Sequence, residues 1–377
     1  MAIRSGPLVD LKILEFAGIG PAPFCGMLLS DLGADVIRID RKDGKDYSKF
    51  DVTTRGRRSI SMDLKNPAAV EAVFRLCKTA EALIEGFRPG VMERLGLGPE
   101  AVLRHNPGIV YGRMTGWGQD GPLADKAGHD INYIAISGAL HAIGTAEQPV
   151  IPLNLVGDYG GGALYLAFGL LAGIMHARKT GQGQVIDTAM SDGSISLMSM
   201  FYGQHAAGLW QNSRGTNIID GGAHFYNVYQ CADGKWLSLG AIEPKFYAQL
   251  LEKAGLTDKA FELQHDHGSW PELKHKLAQT IKSKTRDEWC QLLDGSDVCA
   301  APVLDLEEAA NHAHNQARGI FQQVNGVTQP GPVPRFSITP GQVQSGPAGK
   351  GEHNQSALAD WGFSEAEIDS LRQSGAL

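Results

Sequence analysis

Over the first 190 residues the apolar positions switch repeatedly between a strand-like and a helix-like period. Residues 11–16 form a short apolar run that ends at Gly18-Ile19-Gly20-Pro21. A 3.6-residue pattern follows through Phe24, Met27, Leu28 and Leu32, then Gly33 and a second apolar run over residues 35–40. Strand, glycine-rich turn, helix and strand in this order predict a βαβ unit with a parallel pair. Pro21 and Pro23 suit the first helical turn, where an N–H has no intrahelical acceptor to lose. The alternation continues with a helix over 66–78, a strand over 82–85, a short helix over 99–104 and a strand over 109–114. Apolar helices over 130–141 and 160–178 and a strand over 185–189 complete it. Residues 1–190 therefore read as one doubly wound, Rossmann-like α/β domain.

Beyond residue 190 the texture changes. Residues 191–210 are a Met-rich helical stretch inside a connector over 191–219. Runs over 227–231 and 236–240 flank Ala232-Asp233-Gly234-Lys235, a hairpin with an Asp-Gly turn. Helical patterns over 244–254, 271–283 and 286–293 complete a smaller α+β domain over 220–320. The segment 321–377, with Pro330, Pro332, Pro334, Pro340 and Pro347, reads as ordered coil returning to the first domain. Two domains are also what 377 residues imply, since one hydrophobic core stops growing below that size.

Composition narrows the classes. With 43% hydrophobic and 20% charged residues the chain is ordinary globular protein, which excludes a disordered one. A net charge of -7 argues against nucleic acid as a partner. Within that acidic total, Arg38, Arg41, Lys42, Lys45, Arg55, Arg57 and Arg58 cluster, as a local anion site or as a solvated basic face. The five cysteines contain no C-x-x-C pair, so neither a disulfide framework nor zinc is indicated. His265–His267 and His312–His314 lack a third ligand, and no metal is expected. The apolar stretch 163–177, interrupted by Gly169, Gly173 and His176, is too short to span a bilayer. Residues 1–7 lack the apolar core of a signal peptide, so the expectation is a cytoplasmic protein with no membrane partner. A dinucleotide site, with Asp40 in the ribose position, is disfavoured because Pro23 stands where the third glycine of G-x-G-x-x-G belongs.

Three segments carry candidate chemistry. In Gly128-His129-Asp130-Ile131-Asn132-Tyr133 a histidine precedes a helical pattern, with Asp130 as the expected cap. Alone, such a histidine is more often structural. In Asn154-Leu155-Val156-Gly157-Asp158-Tyr159-Gly160-Gly161-Gly162 the aspartate is expected at a helix N-terminus, where free N–H groups stabilise developing negative charge. The glycines would admit a substrate against the backbone. No Lys-Ser/Thr follows, which excludes a P-loop. Glu243, before Pro244, is a capping residue by default, or a carboxylate that orients a histidine and raises its basicity.

AGHDINY, PLNLVGDYGGG, RGTNIIDGGAHFYNVY and GAIEPKFY resemble, together and in this order, the α-methylacyl-CoA racemases within the family III CoA-transferase superfamily. FAGIGPAPFCGMLLSDLGADVIRIDR, IEGFRPGVMERLGLGP and YGRMTGWGQDGP resemble the same family, over about residues 8–250. Tyr159, where Phe is usual, and His224, where Pro is common, depart from the pattern. The resemblance implies an interlocked homodimer, with each active site formed between the large domain of one chain and the small domain of the other. It implies His129 and Asp158 as the acid/base pair, with Glu243 as the carboxylate paired with that histidine. CoA would run along the large domain, with Arg41, Met62, Asp63, Leu64, Lys65, Arg88, Arg94, Gly128, Asp130, Ile131, Asn132 and Tyr133 at contact positions. No cofactor is implied, since the acyl-CoA is the substrate.

Inverting a carbon beside a thioester requires two groups that exchange a proton through an enolate, one protonated while the other is not. On this reading the Asp158 N–H is expected to face the enolate oxygen, while Asn154 and Asp130 hold the two loops together. The alternative within the same fold is a family III CoA-transferase with Asp158 as nucleophile. A non-catalytic acyl-CoA-binding protein would have no use for the proton carriers.

Overall fold

Six strands of the chain form one parallel sheet: β1 (Lys12–Phe16), β2 (Asp35–Arg41), β3 (Arg58–Met62), β4 (Ala82–Glu85), β5 (Val110–Thr115) and β6 (Val185–Ala189), in the order β3-β2-β1-β4-β5-β6. This computed structural model describes residues 4–377 and divides them into two compact units. The first holds the sheet and comprises the chain up to Ser137, Leu153–Leu197 and His314–Leu377; the second comprises Gly138–Pro152 and Met198–Ala313. Strand order reverses between β1 and β4. The crevice beyond the carboxyl ends of such a pair is where open α/β sheets bind ligands.

Strands β1 to β5 are buried on both faces, yet several carry charge. Glu15 on β1, Arg38 and Asp40 on β2, and Glu85 on β4 are almost fully enclosed. They persist because they are paired: Glu15 with Arg57 at 3.0 Å, Arg38 with Asp40 at 2.9 Å, and Glu85 with Arg113 at 2.8 Å. This settles the basic cluster. Arg38, Arg55 and Arg57 are interior, Arg55 on Asp31, and Arg58 bonds Asp35 and Asp360. The cluster is therefore neither one anion site nor a solvated face. The same pairing explains why β3 escapes a hydrophobicity reading: Ser59 is buried on the Asp40 carboxylate, and the Ser61 N–H is held by Asn354 Oδ1 at 2.8 Å.

Helices α1 (Pro21–Asp31) and α2 (Pro67–Cys77) open on prolines at the first turn, α2 with Asn66 Oδ1 accepting the Ala68 N–H at 2.9 Å. The helix expected over 130–141 breaks at Gly138, whose φ of 85° ends α3 (Asp130–Ile136). That break is also the boundary between units. The apolar helix starts earlier than expected. Leu155–Ala163 winds as a π-helix and continues into α4 (Leu164–Thr180), which Gly181 terminates with φ 76°. Together they make 26 residues, long and apolar enough by length and composition to cross a membrane, whereas residues 163–177 alone are too short. Half of that window is buried, with Leu166 and Leu170 against Gly112 of β5 and Gly173 against Val110. Leu164, Phe168 and Met175 on the outer face are 51–75% exposed.

The Met-rich stretch is two helices, α5 (Met190–Leu197) and Ser199–Ala206, parted at Met198, where the second unit resumes. Backbone meets backbone where α5 crosses the π-helix: a Cβ on Gly193 would stand 1.8 Å from the Gly161 carbonyl oxygen. Gly161 and Gly162 therefore serve helix packing against Ser194 and Met190, not substrate approach as the glycine run suggested. The proline-rich tail is more than coil. It holds an antiparallel hairpin (Phe321–Val324 with Val327–Pro330) and helices Asn354–Asp360 and Glu365–Gln373. Leu358 and Ile368 of those helices, with Trp361 between them, join the core that contains Val73 and Leu83.

In the second unit, β7 (Tyr226–Gln230), β8 (Trp236–Gly240) and β9 (Ala300–Val303) form an antiparallel sheet in sequential order. Its core gathers Phe225, Phe261, Trp270, Leu273 and Trp289. His224 is wholly buried there, its Nε2 2.7 Å from the Tyr247 hydroxyl.

Candidate functional site

The carboxyl ends of β1, β4 and β5 open onto a cavity of about 490 Å³ in the first unit. Its wall includes Gly20 after β1, Phe87 and Arg88 after β4, and Trp117 after β5. Across from these stand Gly128-His129-Asp130, Tyr133, Asn154 and Asp158. Both proposed proton carriers thus line one cavity, at the switch point of the sheet.

His129 is itself the N-cap residue of α3, not Asp130 as expected; its N–H donates to Asn132 Oδ1 at 3.0 Å. The backbone bond fixes the residue while the imidazole stays exposed to the cavity. Asp158 lies in the first turn of the π-helix, a winding that recurs at functional sites, after Asn154 as the N-cap residue. Its carboxyl is half-buried, and Asn154 Nδ2 donates to Oδ2 at 3.2 Å. Burial pushes this carboxyl above its ordinary range; the Asn154 bond opposes, nearby Asp130 adds to the rise, and His129 lowers it. A carboxyl so placed can take up and release a proton more readily than a solvated one.

The Asp158 N–H is not free for an oxyanion. It donates to Asp130 Oδ1 at 2.7 Å, which corrects that expectation and joins the two loops by the aspartate. Gly20 closes the cavity from the other side with φ 70°, and a Cβ there would stand 3.2 Å from Asp158 Oδ2. Tyr133 is held by its hydroxyl on the Gly128 carbonyl and stands edge-on to Trp117 at 4.7 Å. Tyr159 keeps an aromatic contact despite departing from the family pattern, stacking on Phe24 at 4.3 Å.

A second cavity of about 680 Å³ is lined by Arg41, Met62, Asp63, Leu64 and Lys65, with Phe87, Val91 and Leu95. Phe87 lines both cavities. Arg88, Gly128, Asp130 and Tyr133 belong to the first cavity. Arg94 is exposed at the end of a short helix, Ile131 is 38% exposed, and Asn132 is spent on the cap; none of the three lines either cavity. Glu243 sits in the second unit as the N-cap residue of α6 (Pro244–Ala254), exposed and making no side-chain cap. Sequence reasoning missed Gly20, Phe87, Trp117 and Met190 as lining residues, since their proximity depends on strand order. The dinucleotide reading fails structurally too. Asp40 is buried and spent on Arg38 and Ser59, so no ribose hydroxyl can reach it.

Residues 8–354 match the family model for CoA-transferase family III. The chain is 44% identical to the mouse alpha-methylacyl-CoA racemase over 96% of its own length and 95% of the relative's. It is 43% identical to the human alpha-methylacyl-CoA racemase over 97% and 96%. A crystal structure of a CAIB/BAIF family protein from Brucella suis superposes with a TM-score of 0.83 at 25% identity, covering 95% of this chain and all of that one. Mixed α/β architecture, parallel sheet and sequence agree over nearly the whole length, and the chain belongs to CoA-transferase family III.

Proposed function

We propose that the chain racemises 2-methylacyl-CoA thioesters by 1,1-proton transfer through an enolate, with His129 and Asp158 as the two proton carriers. The observation that carries this reading is that an imidazole and a carboxyl raised by burial line one cavity. The carbon beside the thioester lies between them. One group removes its proton from one face while the other returns a proton to the opposite face. Nothing is oxidised or reduced in the exchange, so no redox group takes part. The enolate oxygen needs a donor in place before it forms. With the Asp158 N–H engaged, the amide at hand is that of Asp130, first in α3, which has no intrahelical acceptor.

The CoA moiety extends from this cavity past Phe87 into the second one, where Arg41 and Lys65 meet its phosphates. The assembly is an interlocked homodimer. The outer face of α4, with Leu164, Phe168 and Met175 exposed, is apolar where a surface helix would be polar, and a second copy covers it. Glu243 of the partner subunit then completes the site by orienting His129. The second reading, CoA transfer with Asp158 as nucleophile, draws on the half-exposed carboxylate and on the family's name. One experiment separates them. A single epimer of a 2-methylacyl-CoA in deuterated buffer, without acceptor acid, gives α-deuterated racemic thioester if the proposal holds. No deuterium uptake, with CoA exchange only after an acceptor carboxylic acid is added, establishes transfer instead.

A further inference from the structure

His129 and Asp158 come from segments almost thirty residues apart in sequence, and one side chain joins them. Asp130 follows His129 directly, and its Oδ1 accepts the Asp158 N–H at 2.7 Å. Asp130 is only 8% exposed, and its second oxygen, Oδ2, is buried without a hydrogen-bond partner. The approach is possible because residue 157 is glycine: a Cβ there would stand 2.4 Å from Asp130 Oδ1. A buried carboxylate with one oxygen unsatisfied is costly, and sites keep such groups where they serve the chemistry.

We propose that the Asp130 side chain is a positioning residue, a clasp that fixes the backbone of Asp158 to the helix that carries His129. This rests on the reading of His129 and Asp158 as proton carriers. The family resemblance places Asp130 among the CoA contacts; here its carboxylate is engaged with the protein, and only its backbone N–H is left for substrate. A hydrogen bond to a charged acceptor is among the strong ones, so the spacing between the two carriers is held firmly.

The clasp also carries charge. Asp158 is faced from α3 by His129, Asp130 and Tyr133, with Arg88 near Tyr133 from the loop after β4. Gly20, the residue before α1, stands against it, and Pro21, Met190 and the cation Lys126 line the same cavity, while Asp192 of α5 is exposed. Arg113 on β5 is engaged by Glu85 and Glu93, and Asp187 on β6 accepts the Gln119 N–H. Asp130 is thus the acidic neighbour of Asp158, and it raises that carboxyl. Neutralising it moves the Asp158 ionisation to lower pH.

Asp130→Asn and Asp130→Ala, measured for kcat, KM and the pH profile of α-proton exchange, test this. Asn keeps an acceptor oxygen and loses the charge. It should hold KM near the wild-type value and shift the limb that belongs to Asp158 to lower pH. Ala removes the clasp, and kcat should fall about tenfold or more at unchanged KM, the scale of one lost charged hydrogen bond. A raised KM with unchanged kcat would show Asp130 to be a substrate contact and overturn the proposal. Equal kcat losses in both variants with neither limb moved would overturn it as well. Should Asp130→Ala fail to fold, the near-isosteric Asp130→Asn decides by its pH limb. Failure of the underlying reading shows separately, as wild-type protein that takes up no α-deuterium.

Discussion

Gly20→Ala perturbs the site at a point where the structure separates two effects. Residue 20 has φ 70° and ψ -122°, a region that L-residues rarely adopt. Forcing alanine into it costs roughly 1–3 kcal/mol of stability. The new Cβ also meets Asp158, 3.2 Å from Oδ2 and 3.7 Å from Cγ, closer than a methyl group rests beside a carboxylate oxygen. The carboxyl must yield by a few tenths of an ångström. Misplacements of about 1 Å at a reacting group cost on the order of 100-fold, so a loss of about 10-fold in kcat is expected. KM should change little, because the cavity lined by Arg41 and Lys65 does not include residue 20. Loss of the α-proton signal by NMR yields kcat and KM, and a thermal melt yields stability. A variant with lowered melting temperature but kcat within about twofold of wild type would refute the reasoning, since Asp158 would not need its observed position.

Other consequences follow from the same packing. His224 is buried with its pKa pushed down to about 4, chiefly by burial and further by Lys274 and His265. The unfolded chain takes up this proton below about pH 6.5 while the folded one does not, so stability falls as pH drops from 6.5 toward 4, by about 3 kcal/mol in all. His224→Gln should flatten that part of the denaturation profile, followed by tryptophan fluorescence; an unchanged slope would assign it elsewhere. Arg57→Met leaves Glu15 without its cation in a site with no exposure, and urea unfolding should show a loss of about 3–5 kcal/mol. Adding Glu15→Gln should restore part of it, and strict additivity would contradict the pairing. Phe168→Glu places a charge on the apolar outer face of α4, so sedimentation should show loss of the proposed dimer; a wild-type monomer would sink that assembly.

The sequence made much of the large sheet readable, because β1, β2, β4, β5 and β6 are apolar runs punctuated by helical patterns. β3 escaped, since Ser59 and Ser61 look solvent-facing until their bonds to Asp40 and Asn354 are seen. The tail escaped for a different reason. Its prolines suggested coil, although Ser364 and Glu367 form a capping box that marks the last helix. At the site, motifs pointed to His129 and Asp158 and to Asp130 and Asn154 as what joins their loops, but not to the atoms that do so. Asp130 looked like a helix cap and proved to be a long-range acceptor, because a cap is a local pattern and the Asp158 N–H belongs to another segment. Phe87 and Gly20 could not be placed beside Asp158 without the strand order.

On the proposed mechanism His129 and Asp158 serve opposite faces of one carbon. The most direct measurement follows α-deuterium uptake from each pure epimer of a 2-methylacyl-CoA by His129→Ala and by Asp158→Ala. Each variant should lose racemisation yet retain exchange, with configuration kept, for one epimer only, and the two variants should keep opposite epimers. A variant that still interconverts both epimers at the wild-type rate would contradict the account.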